Sequence, residues 1–259
     1  MKWFVLMWLA SSAMDQYNRA NVLFQQRRFT EAGEAIDRAL EADPRYVPAL
    51  TLRGKLAMAL ERNQVARESF EKAAGLAPDS AYAQFMLGFF YYVENDFRKS
   101  VPALERACRL DPADPRAVLY LALSEEGLAQ PELAIPLYRK AIDLETRAGK
   151  PDTETYTAYG RLLFALGRFE ESARQVDRVL ELNRLSRDGH YERARLLLEA
   201  RQFAEAAEEG EKALRSPLPG ATERQIHFVL ARAYAQLGRQ DLYELHRRKL
   251  EESPPSLRR

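Results

Sequence analysis

Apolar residues recur along this chain at the spacing of helix faces, in pairs of blocks joined by short polar turns such as ENDF and ALGRF. A proline follows each of the first three pairs, and Pro44, Pro78 and Pro112 are separated by 34 and 34 residues. Because proline cannot continue a helix, each pair of blocks predicts two helices, and each proline predicts the end of the second one. The pattern therefore predicts an array of helix pairs with a constant period.

Small residues keep the register of this array. When the closing proline of repeats one to three is numbered 32, a small residue recurs at positions 8, 20 and 27 of the first four repeats, where it lets the paired helices approach closely. The seven repeats start at Ala13, Val47, Ala81, Pro115, Thr153, Arg187 and, less regularly, near Arg224. Position 8 of the first six repeats is occupied by Ala20, Gly54, Gly88, Ala122, Gly160 and Ala194.

Two stretches show the repeat most clearly, LGFFYYVENDFRKSVPALERACRLDP (87–112) and YGRLLFALGRFEESARQVDRVLELN (159–183). Their pattern resembles the tetratricopeptide repeat family, as found in bacterial proteins, and the resemblance covers residues 13–251. It implies an all-α fold, a right-handed superhelical solenoid of about seven helix–turn–helix repeats. It also implies that the first helices line a concave groove where extended or helical segments of other proteins bind.

Breaks in the register predict the organisation of the chain. The register slips after repeat four, where the segment ETRAGKPD adds residues, and it fades in the charged second helix of repeat seven, which we interpret as a cap. The predicted parts are a signal-like or hydrophobic segment (1–13), repeats one to four (14–146), a short insertion (147–152), repeats five to seven (153–251) and a flexible tail (252–259).

The resemblance places groove-facing residues at positions 2, 5, 9, 12 and 13 of each repeat. In repeats one to four these positions are mainly apolar, which favours a docking surface for a partner. The alternative is that a tight superhelix buries them against neighbouring repeats. The candidate partner-binding residues are Tyr17, Phe24, Tyr82, Phe85, Phe89, Tyr92, Leu119 and Leu123.

Repeats five to seven carry a row of arginines at position 9, Arg161, Arg195 and Arg232, with Tyr191 and Phe228 at position 5. Such a row suits binding of carboxylates on an acidic segment of the partner. The alternative is a solvated face on which nearby acidic side chains pair with the arginines.

Composition and motifs reduce the number of possible functions further. The net charge of +1 argues against a nucleic-acid partner, which requires a basic surface. The single cysteine, Cys108, is expected to fill space in the core, and His190 and His227 share position 4, which is typical of scaffold residues. No phosphate-binding, dinucleotide-binding, nucleophile-elbow or zinc-protease motif occurs, so we expect no enzyme activity, cofactor or metal.

The N-terminal segment MKWFVLMWLASSA has one positive charge, eight apolar residues from Trp3 to Ala10, and then small residues. It is too short to span a bilayer and is similar to a secretory signal, which favours a periplasmic or secreted protein. The alternatives are a cytoplasmic protein in which the segment covers repeat one, an incorrect start codon, and a membrane-surface anchor.

These patterns predict a non-catalytic scaffold that docks a segment of another protein in its groove. Two alternatives remain from the sequence. The first is a structural subunit or assembly factor of a cell-envelope complex that acts through its convex or end surfaces. The second is a repeat region of a larger regulator or enzyme complex.

Overall fold

The computed structural model describes residues 2–252, with side chains from Ser12 onward. Within these residues it contains fourteen α-helices and no strand, so the predicted all-α repeat fold is confirmed. The helices are α1 (Lys2–Gln25), α2 (Phe29–Ala42), α3 (Val47–Ala59), α4 (Asn63–Leu76), α5 (Ala81–Val93), α6 (Phe97–Leu110), α7 (Pro115–Gly127), α8 (Pro131–Arg147), α9 (Thr153–Ala165), α10 (Phe169–Leu182), α11 (Arg187–Glu199), α12 (Phe203–Arg215), α13 (Glu223–Gln236) and α14 (Gln240–Glu252).

The chain divides into two compact units, Met1–Leu144 and Glu145–Arg259. In the second unit Glu145 lies in the last turn of α8, where its carboxylate accepts hydrogen bonds from Thr155 Oγ1 at 2.6 Å and from the backbone N–H of Asp152 at 3.2 Å. These bonds fix the start of α9 against the end of α8, although burial raises the pKa of Glu145. Of the predicted insertion (147–152), Arg147 ends α8, and residues 148–152 form the turn between these two helices.

Close contacts between the two helices of repeats two and three explain their small residues at position 8. A Cβ added at Gly54 would lie 2.5 Å from Cε1 of Phe70, and one added at Gly88 would lie 2.6 Å from Cγ of Leu104. The hydroxyl of Ser100, at position 20, donates a 2.8 Å hydrogen bond to the carbonyl of Gly88, at position 8. Any larger residue at these positions would therefore separate the helices.

The turn between the two helices of every repeat has the same backbone geometry, which was not predicted from the sequence. The residue at position 15 has a positive φ, in the left-handed region, in all seven repeats. These residues are Arg27, Glu61, Asn95, Ala129, Gly167, Arg201 and Gly238. Glycine occupies this position only in repeats five and seven, so the four residues other than glycine and asparagine adopt it at a cost of about 1–2 kcal/mol each.

Two prolines lie inside helices. The helices α6 and α8 begin five residues before Pro102 and Pro136, so both prolines lie in the second turn. Each proline removes one backbone N–H that would otherwise bond within the helix. Both proline side chains are exposed.

The last helix pair is joined by two buried imidazoles. Nδ1 of His227 on α13 lies 2.9 Å from Nδ1 of His246 on α14, and the ring of Tyr234 stacks on His246 at 5.5 Å. One imidazole must donate and the other accept, so the pair requires at least one neutral ring. Burial lowers the pKa of both rings, and Glu211, 3.6 Å from Nε2 of His246, counteracts this only in part.

Both ends of the chain carry predictions that the structure does not test. The backbone of α1 begins at Lys2, but the side chains of residues 1–11 lie outside the described residues, and so does the proposed signal function. The predicted tail also lies outside them from residue 253 onward, whereas Glu252 still belongs to α14. None of the described helices combines the length and the apolar character needed to cross a bilayer.

Replacement of Ala129 by glycine is expected to stabilise the protein, because glycine adopts φ of 57° without the Cβ clash. Ala129→Gly should raise the free energy of unfolding by about 0.5–1 kcal/mol in urea titrations. The control is Ala59→Gly in the last turn of α3, which should lower it, since glycine is a poor helix former. Destabilisation by Ala129→Gly would contradict the turn geometry.

The imidazole pair predicts acid sensitivity. Because the folded pKa of each ring lies below its unfolded value, the unfolded chain binds more protons as pH falls below about 6.5, and stability falls with it. The double variant His227→Gln and His246→Gln should therefore lose less unfolding free energy than the native chain between pH 7.5 and pH 5.5. Equal losses, measured by urea titration at both pH values, would show that the pair does not cause the sensitivity.

Candidate functional site

The first helices of repeats one to three form a shallow cleft in the first compact unit. The cleft has a volume of about 320 Å³, and Tyr17, Asn21, Thr51, Lys55 and Tyr82 are among its lining residues. Tyr17 is half-buried against the ring of Tyr46, whereas Tyr82 is 46% exposed. Two predicted groove residues therefore line one cavity, at the face where the helices α1, α3 and α5 meet.

An aromatic patch continues this face on α5 and α7. We define it as Phe85, Phe89, Tyr92 and Tyr120. The Phe89 and Tyr92 rings contact Tyr120 edge-on, with centroids 4.8 and 5.2 Å apart, and Phe85 stacks on Phe89 at 6.0 Å. Edge-on and offset rings are favourable arrangements, so the patch is held in one geometry by its own contacts.

The four consecutive aromatics of α5 separate by burial. Phe90 and Tyr91 belong to the core, and the Tyr91 hydroxyl donates a 2.6 Å hydrogen bond to Glu71. Phe89 and Tyr92 are only half-buried and lie in the aromatic patch. Half of this sequence cluster is thus available at the surface.

Three of the predicted contact residues are too buried to serve as a contact surface. Phe85 is 6% exposed, Leu119 is 4% exposed and Tyr191 is also buried, and all three stand at position 5. The Phe85 ring is covered by Tyr120 and by the guanidinium of Arg116, at 6.1 and 5.2 Å. These three residues are therefore buried by packing, as in the alternative in which the superhelix buries groove-facing residues against neighbouring repeats.

Two further predicted residues have partial exposure. Phe24 packs beside Phe29 with centroids 5.8 Å apart, and Nζ of Lys55 lies 5.3 Å above its ring. Leu123, at position 9 of repeat four, is half-buried. Both are half-buried, as Phe89 and Tyr92 are.

The predicted arginine row is not a row of available cations. Arg161 donates to Asp188 at 2.6 Å and to Glu192 at 2.8 Å, and Arg195 donates to the other oxygen of Glu192 at 2.6 Å. The Arg195 guanidinium also lies 4.0 Å from the centre of the Phe164 ring. Acidic side chains of α11 therefore neutralise Arg161 and Arg195, so the alternative of a face on which acidic residues pair with the arginines applies to these two.

Glu192 is the centre of this ion-pair group and is almost fully buried. Burial would lower the pKa of Arg161, but the hydrogen bond and the charge of Glu192 raise it. The guanidinium of Arg161 therefore stays charged inside the ion-pair group. Sequence reasoning missed Glu192, but its placement three residues before Arg195 is the i,i+3 spacing of a helical ion pair.

The third arginine lies in a different setting. Phe228 is 54% exposed, the Arg232 guanidinium lies 5.9 Å from its ring, and both line a cleft of about 670 Å³ in the second compact unit. Arg201 and Arg247 line the same cleft, although neither was a candidate from the sequence. Phe228 stands at position 5 but remains exposed, because no further first helix follows it within the described residues.

The remaining reactive side chains have structural roles. Cys108 packs against the core, and burial raises the pKa of its thiol to about 11, so it is protonated at neutral pH and is a weak nucleophile. Within residues 12–252 no group of three or more metal-binding side chains comes together. The histidine pair supplies two nitrogens but no third ligand.

Comparison with known proteins identifies the repeat. The family model of the tetratricopeptide repeat matches four segments, residues 5–47, 51–95, 91–151 and 157–222. A tetratricopeptide repeat protein from Parabacteroides merdae has a similar structure, with a TM-score of 0.74 at 14% identity over 95% of each chain. This structural likeness concerns the fold alone.

Two curated proteins also align with most of this chain. The DnaJ homolog subfamily C member 7 of Mus musculus is 23% identical over 215 residues, which cover 78% of this chain and 44% of that protein. Anaphase-promoting complex subunit 3 of Schizosaccharomyces pombe is 23% identical over 227 residues, which cover 88% of this chain and 28% of that protein. The chain spans less than half the length of these two relatives.

Removal of the Glu192 charge is expected to destabilise the second compact unit. Glu192→Gln keeps the shape of the side chain but weakens the bonds to Arg161 and Arg195, so the free energy of unfolding should fall by about 1–3 kcal/mol in urea titrations. Glu199→Gln on the same helix is the control, since Glu199 is exposed, and it should change stability by less than about 0.5 kcal/mol. Equal effects would contradict a structural role of the ion-pair group.

Proposed function

The chain belongs to the tetratricopeptide repeat family, whose members are generally non-catalytic scaffolds that bind other proteins, and from this premise we propose that it docks a segment of a partner protein on its first-helix face. The proposal rests on the aromatic patch together with the adjoining cleft at Tyr17 and Tyr82. No catalytic step is assigned to any residue.

The observation that carries the proposal is accessible aromatic surface that is already ordered. Phe89 and Tyr92 are held against Tyr120, while Tyr82 and Val93 beside them are each nearly half exposed. Aromatic side chains bury a large area and lose little conformational freedom when they are fixed beforehand. A leucine, proline or aromatic side chain of the partner fits such a surface, in an extended or a helical segment.

The cleft at Phe228 supports a second contact region of the same function. Arg201, Arg232 and Arg247 line this cleft, and Glu199 is the one acidic residue of its lining, although Arg247 also pairs with Glu251 at 3.4 Å. This balance favours a partner segment with carboxylates beside an apolar side chain, so the orienting role assigned to the arginine row is proposed here for Arg232 alone of its three members.

We also propose a protein rather than a nucleic acid as the partner, because the net charge of +1 offers little attraction for phosphates.

Export of the protein is a separate proposal, which rests on the N-terminal sequence MKWFVLMWLASSA. Amino-terminal sequencing of the mature protein tests it, since cleavage after Ala13 is the expected result and an intact Met1 the contrary one.

The double variant Phe89→Ala and Tyr92→Ala is expected to lose the partner, because it removes two rings from the accessible part of the patch. Proteins captured by the native chain from its own cells, identified and quantified by mass spectrometry, should fall by about tenfold or more for at least one specific partner. Circular dichroism and thermal unfolding verify that the variant still folds.

The control is Leu110→Ala with Leu133→Ala, which removes two exposed apolar side chains from the second helices α6 and α8. It should leave capture of the same partner unchanged. Capture that survives the aromatic variant, or that fails equally in the control, would contradict docking on the first-helix face.

A further inference from the structure

A second, larger cleft lies in the second compact unit, away from the groove-facing positions of the first helices. It has a volume of about 750 Å³, within the range of ligand and peptide pockets. Its walls come from the second helices α10 and α12, from the turn that precedes α11, and from two side chains of α11, His190 and Arg193. We call it the outer cleft.

The floor of the outer cleft is apolar. Leu180 lies beneath it, and Leu185 and Pro217 extend from the two turns that border it. Leu185 is 61% exposed, the highest value among the exposed large hydrophobic residues of the described chain. Exposed apolar area of this kind, enclosed by polar residues, marks a contact site.

The charges of the rim leave two cations without acidic partners. Asp177 pairs with Arg193, Glu181 pairs with Arg178, and Lys212 bonds to Glu209 at 2.8 Å, so every acidic residue of the rim is already neutralised.

Arg184 and Arg215 also line the cleft, and among the described residues neither forms an ion pair. The cleft therefore attracts negative charge above its apolar floor.

Hydrogen bonds between elements hold the walls in place. The Ser216 hydroxyl donates to the carbonyl of Leu185 at 2.6 Å, and Nε of Arg187 donates to the carbonyl of Ala213 at 3.1 Å. These bonds connect the turn before α11 to the end of α12, directly beside Leu185. A site with fixed walls binds without first ordering them.

His190 joins the same elements. Its Nδ1 lies 2.7 Å from Glu209 Oε2, and its Nε2 lies 2.9 Å from the carbonyl of Arg184. Burial would raise the pKa of Glu209, but the hydrogen bonds from Lys212 and His190 hold it below its ordinary value. The Glu209 carboxylate therefore stays charged.

We propose that the outer cleft is a second docking site, which binds an acidic peptide segment that places a leucine-sized side chain on the apolar floor and its carboxylates against Arg184 and Arg215. The site goes beyond the first-helix docking function, because none of its lining residues belongs to the aromatic patch or to the Phe228 cleft. One molecule of this chain would thereby hold two different segments at once.

The test measures fluorescence anisotropy of a short labelled peptide in which glutamates flank two leucines. The native chain should bind it with an affinity that falls as salt rises, and Arg184→Gln with Arg215→Gln should weaken binding by at least about tenfold. Leu185→Ser should also weaken it. Since these three side chains are exposed, the variants should keep the native fold, which circular dichroism verifies.

Matched controls separate this site from general charge and from the first-helix face. Arg98→Gln with Arg174→Gln removes the same charge from two exposed positions outside the cleft and should leave affinity within about twofold. Phe89→Ala with Tyr92→Ala should leave peptide binding intact, whatever it does to partner capture.

The proposal is overturned if the native chain does not bind the glutamate peptide. It is also overturned if the chain binds an equivalent lysine peptide as tightly, or if the Arg184 and Arg215 variant binds the glutamate peptide like the native chain. Any of these results would leave the first-helix docking proposal standing, because that proposal is judged by capture of its own partner.

Discussion

Close approach of the two helices within each repeat is the constraint on which the rest of this structure depends. Gly54 leaves room for the Phe70 ring, Gly88 leaves room for Leu104, and Ser100 bonds directly to the Gly88 carbonyl. Because these contacts exclude any larger side chain, they fix which faces of both helices are buried. The aromatic patch and the outer cleft lie on faces that this packing leaves accessible.

The repeat could be read from the sequence because its signals are local and periodic. Small residues at three positions and a closing proline predicted the helix pairs that the described residues form. The burial of Phe85 and the pairing of Arg161 could not be read in the same way, since they depend on Tyr120 in the next repeat and on Asp188, which is 27 residues away in sequence. Such contacts require the distance between neighbouring helices, which periodicity does not supply.

The two compact units differ in the chemistry that they present. In the first unit, aromatic rings order one another and form an apolar surface. In the second, Glu192 neutralises Arg161 and Arg195, while Arg232 lies beside Phe228 and Arg184 and Arg215 line the outer cleft. Apolar contact in one unit and charged contact in the other would let a single scaffold distinguish partner segments by composition.

Site-specific photocrosslinking in living cells tests most directly whether partners dock on the first-helix face. A photoreactive amino acid is placed at Tyr82, beside the aromatic patch, and in a second protein at Leu133, which is equally exposed on the second helix α8. The account predicts a discrete crosslinked protein from position 82 and none from position 133. A crosslinked protein from position 133, with none from position 82, would contradict it.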